Sequence, residues 1–285
     1  MKNTENKPSN AVFTVLIITA VLFFALGIGA IVFALNYPDL RGAREAETQT
    51  EITYETIPAD ATPIKKEIPE DEINYETPVN TPPLKLLDVP YINQRAKYRT
   101  GCESVSAVMA LNFAGYEITP EDFIDNFLPK SPAPYIDGSG KLLGYHPSYY
   151  FLGDPYSKDG WGCYYPVIAR CLNRIIDSDR HEVVNLHNAS LEELVSYVDG
   201  GIPVIMWATQ GMNKPRKSQT WTLADSGEAF TWVAPNHCLL LVGYDETGYY
   251  FNDPLTHKNC RYPADIVAKR YKSMGRQALT IVSID

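Results

Sequence analysis

No charged side chain occurs between Ala11 and Leu35, a run of 25 residues dominated by Val, Leu, Ile, Phe and Ala. As a helix such a run is about 37 Å long, against about 30 Å of bilayer hydrocarbon. It reads as one transmembrane helix over residues 11–36, preceded by a short cytoplasmic tail at 1–10. The competing reading is a cleaved signal peptide, whose apolar core runs about 7–15 residues up to a small-residue cleavage site. Gly27-Ile28-Gly29-Ala30 is the nearest such site, and apolar sequence continues past it. Lys2, Lys7 and the amino terminus face Arg41 and Arg44 across the run, a slight bias under the positive-inside rule. The expectation is an uncleaved anchor, with the N-terminus in the cytoplasm and the remainder on the extracellular side.

That run confines a folded domain to the residues C-terminal to it, and the next stretch confines it further. Residues 37–83 hold 11 acidic and 4 basic side chains and seven prolines. A segment so rich in Glu, Thr and Pro buries too little apolar surface to offset the entropy of folding, so it reads as a semi-extended linker. Glu51-Ile52-Thr53-Tyr54-Glu55-Thr56 returns in it as Glu72-Ile73-Asn74-Tyr75-Glu76-Thr77, either a drifting spacer or a short binding motif used twice. The remainder, 84–285, carries 22 acidic against 19 basic side chains. Most of the net charge of −9 thus lies in the linker, and the domain has no basic footprint for nucleic acid.

Within 84–285 the pattern changes once. Leu87 to Ile92 reads as a strand-like lead-in. Val105, Val108, Met109 and Phe113 then fall at helical spacing, with Gly115 as a stop and Cys102 in the first turn. Thr119-Pro120-Glu121-Asp122 opens a second helix. Residues 129–162 come next as a long irregular segment crowded with aromatics, and such loops tend to be functional. Helices are expected from Cys163 to Ile176 and from Ser190 to Gly200-Gly201. Beyond Gly201 the chain turns to strands at 203–207, 229–233, 237–244, 249–252 and 278–284, broken by a short helix near 264–271. Helices first and antiparallel strands second predict an α+β domain.

A thiol at a helix N-terminus lies at the positive end of the dipole, which favours the nucleophilic thiolate. A lone helical cysteine also packs as an ordinary small hydrophobe, so the partners decide. His237 opens one strand and Asp253 closes the next; between them Glu246-Thr247-Gly248 fits a three-residue hairpin loop with Gly248 left-handed. Pairing Asp245 with Tyr249 would put His237 and Asp253 on one face and Asn252 on the other. The two would still lie too far apart along the strands unless a bulge shortens the offset. Gln94 could donate an amide hydrogen to the oxyanion formed when a thiolate attacks a carbonyl, beside the Cys102 backbone N–H.

Asp88-Val89-Pro90-Tyr91-Ile92-Asn93-Gln94, Gly101-Cys102-Glu103-Ser104-Val105-Ser106-Ala107-Val108-Met109, Asn236-His237-Cys238, Val242-Gly243-Tyr244-Asp245 and Asn252-Asp253-Pro254 together resemble the C39-like peptidase family of the papain-like fold. The resemblance spans about 200 residues, from Leu84 onward. It implies Cys102 as nucleophile, His237 as general base, Asp253 as its orienting residue and Gln94 as oxyanion donor; no cofactor is expected, and no Cys-x-x-Cys or His-x-x-x-His spacing suggests a metal. The family often has Gly-Pro after Gly-Cys where this chain has Glu103-Ser104, and an inward-facing acid there would oppose thiolate formation.

Cys163, Cys171, Cys238 and Cys260 read as buried thiols, with two disulfides as the alternative, although Cys163 and Cys171 share a predicted helix at a spacing that does not face them together. His146, His181, His187 and His257 read as surface or loop residues, while Tyr145, Tyr149 and Tyr150 either line a peptide groove or pack on the domain. The expectation is a membrane-anchored cysteine peptidase of a bacterial cell surface that acts on a peptide or protein substrate. Its alternatives are an inactive peptide- or cell-wall-binding module of the same fold and a papain-like acyltransferase.

Overall fold

The computed structural model describes residues 61–64 and 83–284. The expected tail, the transmembrane helix and most of the linker lie outside the described residues, among which no helix is long and apolar enough to cross a membrane.

The five expected helices are present. Helix α1 runs Cys102–Phe113, and Gly115 follows it at φ +91°. Helix α2, Pro120–Asn126, and helix α4, Leu191–Asp199, each open on a reciprocal capping box, Thr119 with Asp122 and Ser190 with Glu193. Between them α3 spans Tyr165–Ile175, starting after Cys163 rather than at it, and α5 spans Ala264–Ser273. Every α1 residue from Cys102 to Leu111 is buried. Small and apolar side chains on all sides let it sit as the central rod of the core, where a surface helix would show one apolar stripe.

One wall of that core is an antiparallel sheet. Its strands are β7 His181–Asn185, β8 Val204–Thr209, β11 Asn236–Tyr244, β12 Gly248–Asn252, β13 Cys260–Pro263 and β14 Ala278–Ser283. They lie in the order β13-β12-β11-β8-β14-β7. Strand β8 pairs with β11 from Asn236 to Leu241. Strand β2, Lys85–Leu86, then pairs with Gly243 and Tyr244. This strand lies just ahead of the expected lead-in, and Leu87 to Ile92 themselves run as loop.

The aromatic segment 129–162 is less irregular than its sequence suggests. It carries β3 Lys130–Ser131, β4 Tyr135–Ile136, β5 Leu142–Gly144 and β6 Phe151–Leu152. A second sheet joins two of these to β1 Thr62–Pro63, β9 Arg216–Leu223 and β10 Ala229–Ala234, in the order β1-β4-β5-β9-β10. The linker is therefore not wholly free of the domain, because β1 pairs with β4. A separate apolar cluster lies against this sheet, with Trp161, Trp221 and Trp232 at its centre. The Trp161 ring meets Trp221 and Trp232 edge-on at 5.5 and 5.7 Å, a preferred aromatic geometry. Tyr145, Tyr149 and Tyr150 pack here, Tyr150 buried and the other two partly so.

Candidate active site

Strand β11 places His237, and a bulge brings Asp253 to it. Near the turn, Tyr244 pairs with Tyr249 and Gly243 with Tyr250; past Val242 the register slips, so that Leu241 faces Phe251 and Leu240 faces Asn252. In that register Asp253 lies opposite Leu239, a diagonal neighbour of His237 on the same face. The turn itself departs from expectation. Asp245 N–H bonds the Gly248 carbonyl, so the loop is one residue shorter, and Gly248 is not left-handed. Gly248 is needed for space, since a β-carbon on it would lie 2.6 Å from the Arg261 guanidinium carbon. That guanidinium forks onto Asp245, with Nε to Oδ2 at 2.6 Å and Nη2 to Oδ1 at 2.8 Å.

His237 Nε2 lies 2.7 Å from Asp253 Oδ1, both side chains 1% exposed. A carboxylate there requires the proton on Nε2, which leaves the Nδ1 lone pair open. Nδ1 is buried with no hydrogen-bond partner. Asp253 also accepts from Leu255 N–H at 2.9 Å and Tyr262 hydroxyl at 3.0 Å. Burial pushes the Asp253 carboxyl up, but His237 and these donors outweigh it and hold it below the ordinary carboxylate value. Asn252 points the other way, donating to the carbonyls of Val89 and Pro90.

Cys102 is the first residue of α1, which packs on β11 through Ser106 Oγ donating to the Cys238 carbonyl at 3.2 Å. Its thiol does not bond His237. Sγ donates to Glu103 Oε2 at 3.2 Å, and Glu103 is fully buried. Burial first, and the Glu103 carboxylate second, push the Cys102 thiol well above its ordinary value, while the Cys238 backbone N–H pulls it down. Desolvation and the neighbouring carboxyl thus oppose the tilt toward thiolate that the helix terminus favours.

Gln94 braces the loop before α1: Nε2 donates to the carbonyls of Tyr98 and Arg99 at 3.2 and 3.3 Å, and Oε1 is buried without a partner. Over the same loop, Pro155 packs against Gly101, and Thr100 N–H bonds the Pro155 carbonyl. Two residues at the site were given no role by the sequence reading. Tyr262 sits on β13, a strand too short to show a period, and nothing in its sequence signals a bond to Asp253. Asn236, whose Nδ2 lies 3.4 Å from Glu103 Oε1, had one signal, its place beside His237.

All five cysteines are buried and none forms a disulfide. His146 lies in a loop, half-buried; it packs edge-on to Phe230 at 4.7 Å, and burial draws its pKa down. His181 bonds the Tyr116 hydroxyl at 2.8 Å and His187 stacks on Tyr165, while His257 is exposed, its Nδ1 2.8 Å from the Lys258 carbonyl. No cluster of His, Cys, Asp or Glu among the described residues is arranged to hold a metal ion.

The family model described as Peptidase C39-like matches residues 86–279. The uncharacterized protein YvpB of Bacillus subtilis (strain 168) is 31% identical over 199 residues, covering 69% of this chain and 76% of that protein. A crystal structure from Bacillus anthracis, described as that of a "putative C39-like peptidase", is similar at a TM-score of 0.60 and 25% identity, covering 70% of this chain and 97% of that one.

Proposed function

Since the chain belongs to the Peptidase C39-like family, we propose that it is a cysteine peptidase in which Cys102, His237 and Asp253 hydrolyse a peptide bond. The observation that carries this reading is the buried 2.7 Å contact between His237 Nε2 and Asp253 with Nδ1 left unpaired. An imidazole so held is a general base aimed by its partner.

In the reading, Nδ1 takes the Cys102 proton as sulfur bonds the substrate carbonyl carbon, and the carbonyl π pair moves to oxygen. The Cys102 backbone N–H, one of the unpaired donors of a helix start, receives that oxyanion, with the Gln94 amide beside it once a bond to the loop is exchanged. The imidazolium then protonates the departing amine. Water, its proton taken by Nδ1, bonds the thioester carbon; the C–S bond breaks, the carboxylic acid leaves and the imidazolium returns its proton to the Cys102 sulfur. An amine in place of that water would make the same parts an acyltransferase. Residues 11–36 anchor the enzyme in the membrane, with the domain on the extracellular side, facing peptide or protein substrates.

The test is a peptide library incubated with the full-length chain and read for new N-termini by mass spectrometry. Cleavage that disappears in Cys102→Ala and in His237→Ala is the expected outcome. One observation favours a second reading, an inactive binding module: the thiol is bonded to Glu103 instead of His237. Peptides retained by the chain but left intact would support that module and overturn the enzyme.

A further inference from the structure

Glu103 is the buried charge that the proposed chemistry leaves unused. Its Oε1 accepts the Cys163 backbone N–H at 3.0 Å and lies 3.4 Å from Asn236 Nδ2, while Oε2 takes the Cys102 thiol at 3.2 Å. The carboxylate therefore ties together the start of α1, the start of β11 and the end of the aromatic segment. Gly162 makes room for it: at φ +119°, a β-carbon there would lie 2.4 Å from Oε1. A fully buried carboxylate persists only where such donors hold it. Those donors leave Oε2 directed at sulfur.

We propose that Glu103 is a positioning residue that holds the resting nucleophile as a thiol, its hydrogen turned from His237, and so sets the pH below which Cys102 stays silent. The proposal rests on the peptidase reading for its use of Cys102. Attack then begins with rotation of the S–H from Glu103 Oε2 toward His237 Nδ1, which takes the proton while sulfur keeps the electron pair. Glu103 neither gains nor loses a proton in that step. The titratable groups that face the sulfur are Glu103 on α1, Cys238 on β11 and Cys163 ahead of α3. Of these, Glu103 is the one hydrogen-bonded to the thiol.

The variant Glu103→Gln keeps the shape, the acceptor for Cys163 N–H and the contact with Asn236, and replaces the charge at sulfur with an N–H donor. The measurement is the rate of iodoacetamide alkylation at Cys102 against pH, peptide by peptide, in the full-length chain, Glu103→Gln and His237→Ala. A neighbouring charge at this range moves a pKa by about 1–3 units, so the Glu103→Gln midpoint is expected to fall by about one unit or more. An unmoved or raised midpoint overturns the proposal. If His237→Ala slows alkylation while Glu103→Gln leaves the midpoint in place, this proposal alone fails. If His237→Ala changes nothing, the peptidase reading fails and this proposal with it. Should Glu103→Gln not fold, the infrared difference between wild type and Cys102→Ser at neutral pH decides the matter. An S–H stretch lowered by hydrogen bonding supports the proposal, and the absence of an S–H band overturns it.

Discussion

Asp253 holds the candidate site together because a single carboxylate meets an imidazole, a backbone N–H and a phenol, all away from water. Asp253→Asn keeps the volume but offers an amide where His237 needs an acceptor, so the ring can turn or take the wrong tautomer. Peptide cleavage is expected to fall by about 10²-fold or more, read as kcat/KM on the best library peptide, with the fold checked by circular dichroism. Tyr262→Phe removes one charge-assisted hydrogen bond, a loss of about 1.5–3 kcal/mol of stability, to be measured by urea unfolding. Cys102, His237 and Asp253 were legible in the sequence because each chemistry demands a residue type at a chain landmark: a helix start, a strand start, a strand end. Glu103 was legible as an oddity, but not its direction, because facing inward or outward depends on Gly162 and Cys163, some 60 residues away.

At the scale of the element, the β11–β12 hairpin does the positioning, and its lock is the buried Asp245–Arg261 pair. Hydrogen bonding to Arg261 holds the Asp245 carboxyl far below its ordinary value against the opposing effect of burial. A depressed carboxyl contributes stability that is present above its unfolded pKa of about 3.9 and is lost as pH falls through the lower folded value. Stability to urea should therefore decline on acidification below about pH 4. Asp245→Asn leaves a buried guanidinium without its counter-charge and should cost about 3–5 kcal/mol at neutral pH, measured in the same titration. If Asp245→Asn matches wild type within about 0.5 kcal/mol, the pair does not lock the hairpin. Parity arguments from the sequence placed His237 and Asp253 on one face. The need for a bulge was legible too, but neither its place at Val242 nor the shorter turn was, because the register of a strand pair depends on its neighbours in the sheet.

Across the whole molecule the domain has two cores, and the sequence announced only one. The larger was visible as helical spacing followed by apolar strands. The tryptophan cluster was hidden in a loop-like segment and in β9, whose Arg-Lys-Ser-Gln-Thr-Trp-Thr-Leu carries polar residues on its exposed positions and only Trp221 and Leu223 buried. That cluster abuts the candidate site through Trp161, Gly162 and Cys163, so loosening it should be felt at Glu103. Trp232→Ala should cost about 3–5 kcal/mol and make Cys163 reactive toward iodoacetamide in the folded chain. Cys163 silent in a variant of unchanged stability would show the two cores to be independent. The most direct test of the central claim is the alkylation rate of all five cysteines at neutral pH in the full-length chain, beside His237→Ala. The expected result is labelling of Cys102 ahead of Cys163, Cys171, Cys238 and Cys260, slowed about tenfold or more when the base is removed. Labelling of Cys102 no faster than the others, and indifferent to His237→Ala, would contradict a cysteine nucleophile served by that histidine.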